Sequence, residues 1–249
     1  MMSVARVTAE ADSAYRSFVR RRTAVFFTFF FPVIIILIFG ALVQTQPTGG
    51  GLFAEAPAYY VPGYLAVVVL FTPLSRVGST VARHRDGNRF EKLATTPLTR
   101  VEWLLAHTLV NIAIIGVASC IILGLVVVTT GATIVFSWWL VPFILFGVAL
   151  FCGLGALLGR IADSQDGVIA ASNSIALPLL FLSETFITPA LLPEWFRPAL
   201  NLSPLTYFAR GVRSATMPPG GDPTGACLVV TLLAVVFVIA GAYALPKTD

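Results

Sequence analysis

Charge is scarce in this 249-residue chain: 11% of its residues are charged, against about 25% in an ordinary globular domain. Lysine and histidine are rarer still, with two of each. The three cysteines, Cys120, Cys152 and Cys227, lie within or at the ends of apolar segments and show no C-x-x-C spacing. They read as small packing residues rather than as disulfide partners or metal ligands. His84 and His107 stand far apart, which argues against a histidine metal centre. No nucleophile–base pair or paired carboxylate falls in a water-accessible segment, so an intramembrane enzyme has no support. Asp163 and Asp166 sit close together, but in a short turn where Asp163 or Ser164 serves to cap the next helix. A phosphate-cradling loop is also missing, since it needs G-x-x-x-x-G-K-[ST] to present backbone amides and a lysine. The nearest approach, "GAYALPKT" at 241–248, has Pro246 where the second glycine should stand, and proline has no amide to donate. The chain is not expected to hydrolyse ATP itself.

What the chain has instead is apolar length. Hydrophobic residues make up 57% of it, the mean hydropathy is +0.88, and runs such as "FFTFFFPVIIILIFGALV" match the roughly 20 apolar residues that span a bilayer. Backbone groups in lipid must be satisfied internally, which leaves helices or a closed barrel. The runs are continuous rather than alternating, which excludes the barrel. The expected fold is all-α, a polytopic membrane protein with six transmembrane helices, drawn at Ala24–Val43, Val61–Ala82, Trp103–Thr130, Trp138–Gly159, Gly167–Ile187 and Ala226–Leu245. The first run is longer than a signal peptide's and no A-x-A site follows it, so it reads as an uncleaved helix. Arg6, Arg16, Arg20, Arg21, Arg22, the segment 83–100, Arg160 and Lys247 fall on one side. Arg197, Arg210 and Arg213 fall on the other. The positive-inside rule then places both termini in the cytoplasm of a multi-pass cell (plasma) membrane protein.

Residues 1–22 repeat Val4, Val7, Ala11, Tyr15, Phe18 and Val19 at helical spacing between charges, the pattern of an amphipathic helix lying on the membrane surface. A tight turn near Gly131 joins spans three and four. The longest connection, 188–225, carries Trp195, Phe196, Tyr207 and Phe208 and is expected to hold short extracytoplasmic helices at the interface. No internal repeat is visible, which counts against an inverted-repeat secondary transporter.

Segment 83–100, "RHRDGNRFEKLATTPLTR", concentrates charge that the rest of the chain lacks. Nothing from Arg76 to Ala94 breaks a helix except Gly87. Pro97 then interrupts it, and Thr99-Arg-Val-Glu102 forms a capping box where span three begins. Phe90 and Leu93, exposed on a helical piece among mixed charges, point to a docking surface. A topology-setting loop or contact with anionic lipid are the alternatives. Nucleic acid is the poorest of them, because the patch is small and mixed in sign. Within the spans, Arg76 near a cytoplasmic end reads as a snorkelling residue, Glu184 as an interfacial or gating carboxylate, and Asn173 with Ser172 and Ser174 as helix–helix hydrogen bonders.

Two segments, "VARHRDGNRFEKLATTPLTRVEWLLAHTL" and "IALPLLFLSETFITPALLPEWFRPALNLSPLTYFARGVRSA", resemble the membrane subunits of ABC-2 type transporters, in particular the short permeases of the drug- and natural-product-exporting group. The resemblance covers nearly the whole chain and implies a single transmembrane domain over 1–249. It implies a permease that pairs with a second copy, as homodimer or heterodimer, and exports an unidentified substrate. It further implies that separate ABC ATPase subunits bind the ATP and magnesium, so that this chain holds no cofactor. Segment 83–100 is then the coupling helix, with Arg85, Asp86, Gly87, Arg89, Phe90, Glu91, Lys92, Leu93 and Pro97 as the ATPase-docking residues. Asn173, Ser183, Glu184 and Phe186 are the candidates for the pathway or its outer mouth. Glu184 replaces the glycine usual at that place and would give the mouth a negative site. An ATPase-independent transporter or channel is the alternative.

Overall fold

The computed structural model describes residues 3–38, 55–217 and 220–246, which form helices and turns with no strand among them. The helices are α1 (Val4–Val19), α2 (Arg22–Ile36), α3 (Val61–Asp86), α4 (Arg89–Leu93), α5 (Arg100–Thr130), α6 (Leu140–Ile161), α7 (Gln165–Phe181), α8 (Pro204–Thr216) and α9 (Thr224–Ala244). Short 3-10 turns occupy Pro57–Tyr60, Pro189–Leu191 and Arg197–Leu202. Four helical stretches, Pro57–Asp86, Arg100–Thr130, Leu140–Ile161 and Thr224–Ala244, are long and apolar enough to cross a membrane. The end of the first expected span, past residue 38, lies outside the described residues.

The charged segment folds as its residues dictate. α3 runs on to Asp86 and stops at Gly87. Asn88 turns the chain through the left-handed region with φ of 50°, a conformation asparagine tolerates better than most residues. α4 then makes little more than one turn. Thr99 caps α5 with the expected box: its hydroxyl accepts from the Glu102 amide while the Glu102 side chain accepts from the Thr99 amide. Gly131, with φ of 64°, ends α5.

Two expectations need correction. The fifth span was drawn to Ile187, but α7 ends at Phe181. Pro178 removes a backbone donor, and the hydroxyls of Ser183 and Thr185 take the Leu180 carbonyl at 2.6 and 3.0 Å. Helix α7 has 17 residues, about 25 Å of rise, which is short of a hydrocarbon core of about 30 Å. The apolar stripe of α1 does not all face lipid. Val7, Ala14 and Phe18 are buried, with Ala14 and Phe18 against Val110 and Ile114 of α5, while Val4, Tyr15 and Val19 stay exposed.

α3 is enclosed by α5, α6, α7 and α8, and α9 closes on α6 from outside. Lipid tails are as apolar as leucine, so close backbone approach and shape must hold such helices together. Glycine provides the approach at two seams. A Cβ on Gly155 of α6 would stand 2.5 Å from the Leu74 carbonyl oxygen of α3, and one on Gly241 of α9 would stand 2.6 Å from the Gly153 carbonyl oxygen of α6. Gly124, by contrast, has no neighbour within 4 Å of such a Cβ. Gly155→Leu is therefore expected to lower the thermal unfolding midpoint in detergent by the equivalent of about 1–3 kcal/mol, with Gly124→Leu close to wild type. Equal midpoints for both variants would contradict the seam.

Candidate functional site

Segment 83–100 is fixed by an aromatic anchor. Phe90 is 5% exposed, and its ring meets those of Trp103 and His84 edge-on at 5.5 and 5.6 Å. This corrects the expectation of an exposed Phe90. A phenylalanine on a short helix is driven onto the nearest apolar surface, here the start of α5. Leu93 is half-buried beside it. The face turned outward is polar: Asp86, Gly87, Arg89, Glu91, Lys92 and Pro97 are all exposed. Arg85 is partly buried; it pairs with Asp86 at 3.2 Å and donates to the Arg160 carbonyl at the end of α6 at 3.1 Å. Thr95 and Thr96 donate their hydroxyls to the Lys92 and Leu93 carbonyls and so close the last turn of α4.

Beneath this face lies a joint that the sequence did not announce. The Glu102 carboxylate is fully buried. It accepts from the Ser3 amide at 2.7 Å, from Arg6 Nε and Nη2 at 3.1 and 2.7 Å, and from the Thr99 amide at 2.9 Å. Arg6 also donates to the Pro97 carbonyl at 2.5 Å. One carboxylate thus ties the start of α1, the Thr-Pro turn and the cap of α5 together. One helical turn further on, His107 and Glu10 meet at 3.3 Å. The capping box was legible from its spacing, but nothing local marks Arg6 and Ser3, nearly a hundred positions away, as its partners.

The opposite end of the bundle holds Glu184. Its carboxylate receives both arms of Arg210, Nε at 2.9 Å and Nη2 at 2.5 Å. Arg213 donates to the Glu184 carbonyl at 2.6 Å and lies over the Tyr59 ring at 3.9 Å. The Arg210 guanidinium is held above its ordinary value by Glu184, whereas burial pulls Arg213 down from the same value. Glu184 is thus ion-paired with Arg210 rather than an open negative site. Ser183 is buried against the Leu180 carbonyl, and Phe186 packs on Tyr64 and against Gly63. Of these candidates only Glu184 lines a cleft of about 370 Å³ at this end, with Glu194, Arg197, Asn201 and Arg210. Asn173 is not part of this cluster: it is exposed at the middle of α7. Among the described residues, no group of three or more His, Cys, Asp or Glu could hold a metal ion.

Residues 7–217 match the model of a family described as ABC-2 type transporter. The chain is also 25% identical over 189 residues to the daunorubicin resistance ABC transporter permease protein DrrB1 of Streptomyces coeruleorubidus, a match that takes in 73% of this chain and 64% of the length of that relative.

Glu102→Ala removes the shared acceptor of α1 and the α5 cap. Amide hydrogen exchange is expected to rise by roughly tenfold or more across residues 3–19 and 95–102, with α6 and α9 unchanged. Unchanged exchange in α1 would refute the joint. At the other end, Glu184→Ala should cost about 1–3 kcal/mol, below the range for a fully buried pair, because the Arg210 side chain is 42% exposed. A thermal double-mutant cycle with Arg210→Ala should show coupling, and additive effects would exclude it.

Proposed function

The chain belongs to the ABC-2 type transporter family, and on that premise we propose that it is the permease of an ATP-driven exporter that works as a pair of membrane subunits with separate ATPase subunits. In this reading it is one transmembrane domain over 1–249 with six crossings: α3, α5, α6 and α9 are long enough to span alone, α2 belongs to the first crossing, and α7 with the turns after it makes the fifth. Both termini and segment 83–100 face the cytoplasm, where the basic residues gather. Residues 188–225 lie outside, with α8 and the short turns at the surface. ATP and magnesium belong to the partner, and this chain has no ATPase site of its own.

The observation that carries the reading is the construction of α4. Its outward face offers Arg89, Glu91 and Lys92 to water, while Phe90 is wedged against Trp103 and His84. A push on the charged face therefore passes directly into α3 and α5, and through Glu102 into α1. A solvated loop needs no such anchor, whereas a docking element that transmits displacement does. The second copy is supported by α7, which buries only Val168, Ser172 and Ala176. It leaves Ile169, Asn173, Ser174 and Leu177 exposed. An asparagine amide at mid-span is costly against lipid and favours a protein neighbour.

The relative's name concerns daunorubicin resistance, which makes daunorubicin the first compound to assay in vesicles. The partner test is co-purification with an ABC ATPase subunit, sought first in the neighbouring reading frames. The charge reversals Glu91→Lys and Lys92→Glu are expected to reduce ATPase recovery and transport by roughly tenfold, with the permease itself folded. Full recovery of the ATPase with the double reversal, or transport without any ATPase, would reject the proposal.

A further inference from the structure

A cavity of about 600 Å³ opens between α1, α3, α4 and α5. Arg21, Arg76, Arg83, Arg89 and Lys92 line it, and its one carboxylate, Glu10, is already engaged by His107 at 3.3 Å. None of these five cations makes an ion pair among the described residues. Arg76 lies ten residues before the end of α3, about 15 Å in from it along the helix axis. Its contacts are two long hydrogen bonds of 3.5 Å, to Asn111 Oδ1 and the Ala14 carbonyl, and the Phe18 ring, 4.3 Å from its centroid. Among the described residues, the Arg83 side chain bonds only the Thr80 hydroxyl, at 3.3 Å. His84, also in the wall, has a buried Nδ1 with no partner among the described residues. So much positive charge, part of it deep in the bundle, calls for an anion.

Phe18 is also a wall of a second space. On its other side an apolar groove of about 700 Å³ runs between α1, α2 and α5, lined by Val19, Val25, Phe26, Phe29, Ile114 and Val117 among others. A basic chamber and a greasy groove separated by one ring match a molecule with an anionic head and a hydrocarbon chain. A free anion would leave the groove without purpose, and an acidic side chain from a partner protein would not reach across Phe18.

We propose that this pair of spaces binds one acidic phospholipid, its phosphate between Arg76 and Arg83 and one acyl chain in the groove beside Phe18. Basic pockets between membrane helices are a known way to hold such headgroups. The proposal depends on the chain lying in a membrane but not on its pairing with an ATPase, so either can fail alone.

The test uses the full chain purified in detergent, exchanged against phosphatidylglycerol or phosphatidylcholine with identical chains, and native mass spectrometry of the retained lipid. Phosphatidylglycerol is expected to stay bound at about one per chain and phosphatidylcholine to be stripped. The double substitution Arg76→Gln with Arg83→Gln should cut retention by roughly tenfold or more. If that variant fails to fold, Arg89→Gln with Lys92→Gln on the exposed rim should cut it by roughly threefold to tenfold. Ala113→Trp, which fills the groove, should lower lipid retention as well. Equal retention of the two lipids, or undiminished phosphatidylglycerol in the arginine or rim variants, would overturn the proposal. So would full displacement by inorganic phosphate with no effect of Ala113→Trp, the mark of a free-anion site.

Discussion

A buried carboxylate must find donors, and Glu102 finds them in two segments of the chain far apart in sequence. The Thr99 amide is local, part of the cap that starts α5, but the Ser3 amide and Arg6 come from the N-terminal helix. Hydrogen bonds to a charged group contribute about 1.5–3 kcal/mol each, and an ion left without them is expensive. The consequence is mutual dependence. α1 has its direction because Arg6 must reach Glu102, and Arg6 in turn holds the carbonyl of Pro97. The Thr-Pro turn is therefore braced from behind, and α4, which precedes it, cannot shift without disturbing α1 and α5.

The middle of the bundle follows a different rule. Between α3, α6 and α9 there is little polar bonding to exploit, and glycines let backbones meet where any side chain would collide. Apart from Arg76 and Asn111, the larger polar networks lie toward the two ends: Glu102, Glu10 and their partners at one, Glu184 with Arg210 and Arg213 at the other. Shape fixes how the helices cross, and charge fixes how the ends are tied. A bundle built in this way can shift at its glycine seams while its ends remain coherent units.

That division also explains what could be read in advance. Apolar runs and the Thr99–Glu102 spacing act locally, so the long helices, the cap and the stop at Gly131 were legible. The same holds for the break at Gly87, after which Asn88 turns the chain through the left-handed region. Phe90 was misread because burial is decided by what lies opposite, and Trp103 and His84 come opposite it only after the chain has turned back. Glu184 was misread for a similar reason. As a lone carboxylate it suggests an open charge, yet α8 returns over it and supplies Arg210 in bidentate geometry. The early end of α7 was signalled by Pro178, but the hydroxyls of Ser183 and Thr185 decide where the helix stops.

The basic cavity and the outward face of α4 are not independent features. Arg89, Lys92, Leu93 and Thr96 form one wall of the cavity, and Arg76, Arg83 and His84 of α3 form another. Any displacement of α4 relative to α3 alters the distance between these cations and hence the affinity for an anion placed among them. By linkage the reverse holds with the same free energy: an anion that prefers one spacing of the walls biases α4 toward that position. Phe90 limits how far the walls can separate, since its contacts with Trp103 and His84 must be broken first. An occupied cavity and a moving α4 are thus energetically coupled through a handful of side chains, with the aromatic anchor setting the range.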